Sequence, residues 1–393
     1  MRMPEATATS AAPPESGSRV EILPVADRST LERFVRLPWD VYRDDPAWVP
    51  PLLLREKRRV EGRHPFFSHG EAAFWLAVRA GRAVGRVSAQ IDRLHLQVHG
   101  DATGHFGLLE ATDDPEVFRA LLRAAEAWLR ARGMRRVTGP FHLSINEEVG
   151  TLVEGFEAPP VFLMPHGRPY YDVRVREQGY RKAKDLLAYI LDTRTPVPDL
   201  MRATVERAGW GKVRLRPVRL RKLDEDLEIL RDIFNDAWSN NWGFVPFTPE
   251  EFRELGTSLR LFVPPEFVQI AYVGERPAAM LVLVPDLNEV LREFDGRLFP
   301  FRWLRLWWRI RRGGTRTARV PLMGVRRRYQ RSALGMALVF LMIEAVREPL
   351  LSRGFQRVEL SWILEDNLAM RHVLERIGAR PYKRYRVYEK ELD

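Results

Sequence analysis

The chain is organised around the stretch GVRRRYQRSALGMALVFLMIEAV, residues 324–346. Four arginines crowd the loop before its helical run: Arg326, Arg327, Arg328 and Arg331. The helix is predicted to begin after Ser332, a good N-cap, and the small residues Ala333 and Gly335 leave its first backbone N–H groups accessible. The helix dipole and the arginines both favour an anion there. The stretch therefore predicts a loop that binds a pyrophosphate.

The composition is that of a globular protein, with 45% apolar and 29% charged residues in a chain of 393. Cysteine is absent, which excludes disulfides, thiolate catalysis and cysteine-ligated zinc, and we expect no metal site. The net charge of +11 predicts attraction to phosphates on nucleotides, nucleic acid or anionic lipid, without choosing among them. Residues 1–18 are typical of a disordered tail, and no apolar run reaches the ~20 residues of a membrane span. We therefore expect a cytoplasmic protein.

Two halves of the chain carry the same order of predicted elements: strand, helix, hairpin, strand, helix, strand. The hairpins are predicted over residues 73–92 and 267–285, and each half closes with a helix, a glycine and a tyrosine-rich strand. Matching order indicates two copies of one fold. We predict two domains, residues 19–197 and 198–393, of which only the second carries the anion loop.

The second half resembles the GNAT acyltransferases, whose pyrophosphate loop reads Gln/Arg-x-x-Gly-x-Gly/Ala. The matching run here is QRSALG, residues 330–335, with Ala333 where the first glycine is usual. The resemblance implies an α/β (α+β) fold of two tandem GNAT-like domains, each a mixed, mostly antiparallel sheet flanked by helices. It also implies acyl-CoA as co-substrate, with Asn367 facing the pantetheine arm. The implied loop residues are Val325, Arg326, Gln330, Arg331, Ser332, Ala333, Leu334, Gly335 and Met336.

The first half resembles the same fold in degenerate form, because two aspartates in ATDDPEVF (residues 111–118) would repel a pyrophosphate. We therefore expect one cofactor site.

Tandem copies with one working site also resemble the aminoacyl transferases of peptidoglycan cross-bridges. A closer resemblance is to a bacterial group that includes the ceramide synthases, carried by these runs: LPWDVYRDDPAWVPPL, GPFHLSINEEVGTLVEGF and NDAWSNNWGFVPFTPEEF. It implies N-acylation of an amphiphilic amine, with a sphingoid base as the sharpest expectation.

Acyl transfer to an amine needs a base for the amine proton and donors for the developing oxyanion. The candidate bases are Glu365, just past a predicted strand, and Asp286, at the end of a predicted hairpin. The resemblance implies a tyrosine as acid toward the leaving thiolate, but Leu374 stands at that place, so either Tyr382 or Tyr385 serves or the thiolate leaves without an acid. The candidate acceptor-site residues lie in two predicted loops: Asn146, Glu148, Asn241 and Trp242.

An insertion over residues 286–314 separates the second hairpin from the next strand. On a helix its arginines at 302, 305, 309 and 312 share one stripe, and aromatic and aliphatic residues cover the remainder. This pattern is typical of a helix in a membrane interface, and we expect peripheral contact with the inner membrane. The alternative is a helix buried against the protein core with its arginines extended to water. Two other functions stay open, namely a transferase for a soluble amino acid, peptide or aminoacyl-tRNA, and a non-catalytic nucleic-acid-binding protein.

Overall fold

The computed structural model of the chain describes residues 19–196, 198, 199, 201, 203 and 213–393. The predicted tail, residues 1–18, and part of the chain between the halves, residues 197, 200, 202 and 204–212, lie outside these residues. The first half contains, in order, β1 (Glu21–Pro24), α1 (Arg28–Val41), α2 (Leu53–Val60), β2 (Gly70–Arg79), β3 (Arg82–Asp92), α3 (Arg93–His99), β4 (Thr103–Ala111), α4 (Pro115–Arg130), β5 (Arg136–Gly139), β6 (Thr151–Glu154), α5 (Tyr171–Arg176) and β7 (Arg181–Asp192).

The second half repeats the strand order and carries its extra helices in the insertion. Its elements are β8 (Val213–Pro217), α6 (Leu223–Ala237), α7 (Pro249–Leu259), β9 (Val268–Val273), β10 (Arg276–Pro285), α8 (Asn288–Leu291), α9 (Arg302–Arg311), β11 (Thr317–Val325), α10 (Ala333–Ser352), β12 (Arg357–Leu364), α11 (Leu368–Arg376) and β13 (Arg380–Glu391). Both predicted hairpins are present, as β2–β3 and β9–β10.

The final strand of each half pairs with the fifth strand of the other half. β7 runs antiparallel to β12, and β13 runs antiparallel to β5, while β13 and β7 also pair with each other. Within the described residues, this exchange joins the strands into one sheet in the order β1-β2-β3-β4-β5-β13-β7-β12-β11-β10-β9-β8, with β6 against β13. The duplicated α/β architecture is the predicted one, and the exchange adds a continuous hydrogen-bonded seam between the halves.

β11 and β12 separate along their length. They pair in parallel only from Thr317 with Arg357 to Val320 with Leu360. Beyond that point β11 stays paired with β10 as far as Val325, whereas the end of β12 pairs with β7. The facing edges of β11 and β12 therefore diverge into a wedge that opens toward the loop before α10.

Candidate active site

The predicted anion loop connects the open end of β11 to α10. One turn over Arg327–Tyr329 is followed by Arg331, which adopts a left-handed backbone with φ 59°. Ser332 caps α10, because its Oγ accepts a hydrogen bond from Gly335 N at 3.0 Å. A Cβ on Gly335 would lie 2.2 Å from the carbonyl oxygen of Tyr329, so only glycine fits here. The loop folds tightly over the first turn of the helix.

The four arginines of the loop divide into two pairs. Arg326 is held by Pro277 O and by Asp232, and Arg327 N donates to the Asp236 carboxylate at 2.8 Å. Arg328 and Arg331 are exposed, and neither has a carboxylate partner among the described residues. Two arginines therefore anchor the loop, and two remain available to an anion.

Two other predicted cofactor-binding residues make hydrogen bonds to the protein backbone. Gln330 Nε2 donates to Val325 O at 2.8 Å and to Ala237 O at 3.1 Å, which fixes the loop to the end of α6. Asn367 lies at the far side of the wedge, where its Oδ1 accepts from Met370 N at 3.2 Å and caps α11. A role for Asn367 toward a pantetheine arm remains a prediction.

A cavity of about 650 Å³ lies between the wedge, α6, α7, the insertion and a loop of the first half. Most of its wall is aliphatic or aromatic, including Leu227, Leu230, Phe234, Trp238, Phe247, Phe252, Val282, Val284, Leu287, Leu291, Leu306, Leu322 and Trp362. A volume and lining of this kind suit a long hydrocarbon chain. Sequence reasoning did not predict the cavity, because its wall residues come from segments distant in the chain.

All four predicted acceptor-site residues line this cavity: Asn146, Glu148, Asn241 and Trp242. Asn146 Nδ2 donates to Val245 O at 3.1 Å, so the loop of the first half is bonded to the loop after α6. The two segments that the sequence singled out separately therefore meet at one site, although their role in binding a substrate remains a prediction.

At the polar end of the cavity, charged side chains form a network of ion pairs. Arg55 donates to Glu147 at 2.9 Å and to Glu148 at 2.8 Å, and the buried Arg59 contacts both carboxylates and Glu56. Burial raises the pKa of Glu147, but a hydrogen bond with His64 and the charges of both arginines lower it to about 2. The pKa of Glu148 also lies well below its usual value, because the same arginines outweigh its burial. Three carboxylates thus meet two guanidinium groups, and the imidazoles of His64 and His142 lie 3.4 Å from Glu147 and 2.8 Å from Glu148.

A second buried cluster lies at the base of the wedge. Arg319 lines the cavity, is 3% exposed, and donates through Nε to Ser361 Oγ at 2.9 Å. Ser361 donates to Glu359 at 2.6 Å, and the Tyr382 hydroxyl donates to the same carboxylate. Arg319 and Glu359 were missed from the sequence, and the signal for each was a charged residue in the middle of an apolar strand.

The candidate base Asp286 directly follows β10 and is not itself a lining residue, whereas the nearby Val284 and Leu287 are. It is 6% exposed, and its Oδ1 accepts from Phe162 N at 2.9 Å and Asn288 N at 3.1 Å. Burial and the neighbouring Glu289 raise the pKa of Asp286 to about 8, despite those two hydrogen bonds. Its carboxyl group therefore changes charge near neutral pH, which suits proton transfer.

The other catalytic candidates are placed differently. The Glu365 carboxylate accepts from Lys182 Nζ at 2.8 Å and from Asp185 N at 3.1 Å, and Glu365 is not among the cavity-lining residues. Burial and the charge of Glu359 raise the pKa of Tyr382, which makes its hydroxyl a poor proton donor. Asp286 does not line the cavity either, and it differs from Glu365 in its raised pKa. Its role as the base remains a prediction.

Three histidines approach one another in the first half, yet their bonds do not form a metal site. His95 and His99 lie four residues apart on α3, and His105 stands edge-on to His95. His99 Nε2 lies 2.9 Å from Phe244 O, and His105 Nδ1 lies 2.7 Å from Thr138 Oγ1. Among the described residues no group of three or more ligating side chains is arranged to hold a metal ion.

The insertion forms a wall of the cavity and is hydrogen-bonded to the first half. Trp39 Nε1 donates to the Asp295 carboxylate, and Leu53 N donates to Gly296 O. The orientation of α9 differs from the sequence pattern. Arg305 and Arg309 of the basic stripe pair with Glu293, and Phe301, Leu304 and Trp308 are exposed at 74%, 45% and 49%. In the described part of the chain, no helix has the length and apolar character to cross a bilayer.

Comparison with known proteins supplies two sequence relatives. The chain is 45% identical over 370 residues to protein YghO of Escherichia coli (strain K12), covering 93% of this chain and 94% of that protein. It is 44% identical over 375 residues to the bacterial ceramide synthase of Caulobacter vibrioides, covering 95% and 98% of the two chains. No family model matches the sequence.

Two solved structures share the fold at low identity. A tandem GNAT protein from the clavulanic acid biosynthesis pathway superposes with a TM-score of 0.57 at 16% identity, covering 95% of this chain and 99% of that one. A GCN5-related N-acetyltransferase from Sphaerobacter thermophilus gives a TM-score of 0.52 at 16% identity, covering 95% and 96%. These likenesses confirm the tandem GNAT fold.

Proposed function

The chain belongs to the tandem GNAT-fold N-acyltransferase family that includes the bacterial ceramide synthase of Caulobacter vibrioides, and from this premise we propose that it transfers a fatty acyl group from acyl-CoA to the amino group of a sphingoid base. The product would be an N-acylated lipid of the ceramide type. The observation that carries this proposal is the apolar cavity of about 650 Å³ beside the wedge, since a small soluble amine needs no such space.

The anion loop fits the pyrophosphate of CoA. Its glycine allows the close approach of Tyr329 O, the cap leaves the first N–H groups of α10 directed outward, and Arg328 and Arg331 carry positive charge without carboxylate partners among the described residues. We expect the phosphates at this loop and the pantetheine arm in the wedge between β11 and β12. This arrangement directs the thioester toward the cavity.

The ion network at the polar end of the cavity suits the amino group of the acceptor. Glu147 and Glu148 line the cavity, and in this proposal their carboxylates accept hydrogen bonds from the ammonium group beside those from Arg55. The hydrocarbon tail would then extend along the aliphatic wall. In this proposal Asn146 and Asn241 bond the polar groups next to the amine.

The reaction we propose is direct attack. The Asp286 carboxylate takes one proton from the bound ammonium group, and the neutral amine nitrogen then attacks the thioester carbonyl carbon. A C–N bond forms, the C–S bond breaks, and CoA leaves as a thiolate that receives the second nitrogen proton through water. No acyl-enzyme forms on cysteine, because the chain has none.

Peripheral contact with a membrane is part of the same proposal. Phe301, Leu304 and Trp308 form an exposed apolar face of α9, and Arg312 stacks on Trp308 at 4.3 Å from the ring centroid. An apolar face bordered by arginine suits the interface of a bilayer with anionic head groups. This placement would bring the enzyme to an acceptor that dissolves poorly in water.

The experiment that tests the proposal follows CoA release with a thiol reagent. The chain has no cysteine, so the released thiol is the only one that reacts. We expect release from a long-chain acyl-CoA only when a sphingoid base is added. Release that depends instead on a free amino acid, a peptide or an aminoacyl-tRNA would overturn the lipid acceptor and favour a soluble one.

A further inference from the structure

The opening of the apolar cavity is ringed by exposed hydrophobic side chains from separate segments. Leu54, Leu220 and Phe299 line the cavity and are nevertheless 55%, 55% and 61% exposed, so they lie at its mouth. Leu261 is 52% exposed and stands between the lining residues Arg260 and Phe262. Both halves of the chain and the insertion contribute to this ring. Large exposed apolar residues that converge on one opening mark an interaction surface.

Three arginines lie within two residues of the ring residues in the sequence. Arg221 follows Leu220, Arg260 precedes Leu261, and Arg297 lies two residues before Phe299; all three are exposed. None has a carboxylate partner among the described residues. An apolar ring with a positive border matches an anionic bilayer, with leucines at the acyl boundary and arginines at the phosphates.

We propose that the cavity mouth itself docks on an anionic membrane, so that the amine acceptor enters the cavity laterally from the bilayer without crossing water. This inference rests on the proposed function for the identity of the acceptor, while the docking surface stands on its own residues. Phe299 connects the mouth to Phe301 of α9, so the ring and the apolar face of α9 would contact the same bilayer. The hydrocarbon tail would then pass from one apolar environment directly into another.

The test uses the purified full chain with Leu261→Glu, which alters the mouth without altering a cavity-lining residue. Val173→Glu is the matched control, because Val173 is 53% exposed on α5 and takes no part in the mouth. Co-sedimentation is measured with phosphatidylcholine vesicles with and without phosphatidylglycerol. We expect Leu261→Glu to weaken binding to the anionic vesicles by about tenfold or more, as the loss of one buried leucine predicts. Arg260→Glu should weaken it mainly at low salt.

Acyl transfer is then compared for a long-chain amine in the vesicles and a short-chain amine in solution. Leu261→Glu should lower the rate for the long-chain amine in vesicles and leave the rate for the short-chain amine in solution unchanged. Unchanged vesicle binding, or equal loss of both rates, would overturn the inference. If Leu261 instead controls self-association in sedimentation without vesicles, the occupant is a second copy and the inference is wrong. If vesicle binding depends on Leu261 but no lipid amine is acylated, the docking surface stands and the proposed function falls.

Discussion

Val320 of β11 and Leu360 of β12 form the last pair of their parallel ladder, and the two strands diverge beyond it. The anion loop follows the open end of β11, and Arg319, one residue before the last pair, lines the apolar cavity. A thioester held in this wedge would meet an amine held in the cavity.

Gly335 is the position where the loop tolerates no side chain. A Cβ there would lie 2.2 Å from Tyr329 O, so Gly335→Ala must displace the backbone that we propose for the CoA phosphates. We expect CoA affinity to fall by about tenfold or more, measured by calorimetry, because the loop loses its N–H geometry. Ala333→Gly, two residues earlier on an exposed site, is the control and should bind CoA as well as the wild type. Equal CoA affinity for the wild type and both variants would show that the loop does not bind CoA.

Asp286→Asn tests the base. With a pKa of about 8, the Asp286 carboxyl group gains its basic form as pH rises, so the wild-type kcat should increase through this region. The variant should have kcat lowered by about 10²-fold or more, should lack that increase, and should keep its KM for acyl-CoA. An opposite profile, in which the wild-type rate falls above pH 8, would identify Asp286 as an acid.

Local features of the site were predictable because each depends on a few adjacent residues. The cap at Ser332 and the glycine at 335 follow from steric and hydrogen-bonding rules that act within one helical turn. The repeated order of elements follows in the same way from hydrophobic periodicity. Pro38 is an exception to such local rules, because proline usually interrupts a helix and here it lies inside α1.

Long-range pairing was not predictable. Nothing local in β13 indicates that Tyr388 pairs with Gly139 in the first half, and periodicity alone does not show that Glu365 bonds to Lys182. The pairing of Arg305 and Arg309 of α9 with Glu293, 12 and 16 residues earlier, likewise does not follow from helical periodicity. The cavity likewise exists only once both halves are assembled.

His69 gives a pH dependence to the contact between the halves. Its ring lies 3.0 Å from both Asp92 and Glu251, and although burial lowers the pKa of His69, these two bonds raise it to about 9. A raised folded-state pKa means that its contribution to stability is full below about pH 6.5 and is lost as pH rises through about 9. The difference in unfolding free energy between wild type and His69→Gln should therefore shrink between pH 6 and pH 10 in urea titrations. A constant difference would contradict a charged His69.

Leu322→Trp tests the cavity as the site of the hydrocarbon chain. Leu322 lines the cavity on the diverging part of β11, and a larger ring there reduces the available volume. We expect activity to shift toward shorter chains, with the rate for long-chain substrates reduced about tenfold. Leu351→Trp, on the exposed end of α10, is the control. The same loss for every chain length would show that the substitution damages the fold and not chain selection.

Phe301 and Trp308 test membrane contact by α9. Replacing both by alanine removes the most exposed rings of this helix without touching the buried Leu306. Binding to anionic vesicles should weaken by about tenfold or more, whereas CoA affinity should be unchanged. Val98→Ala, on exposed α3 of the first half, provides a comparison. Full vesicle binding by the double variant would show that α9 is not the contact.

The most direct measurement of the central claim is the identity of the product. The purified chain is incubated with a long-chain acyl-CoA and an equimolar mixture of a sphingoid base, amino acids and a short peptide, and the products are analysed by mass spectrometry. The account predicts an N-acylated sphingoid base, formed in equal amount with free CoA and absent with Gly335→Glu. Acylation of the amino acids or the peptide in place of the sphingoid base would contradict it.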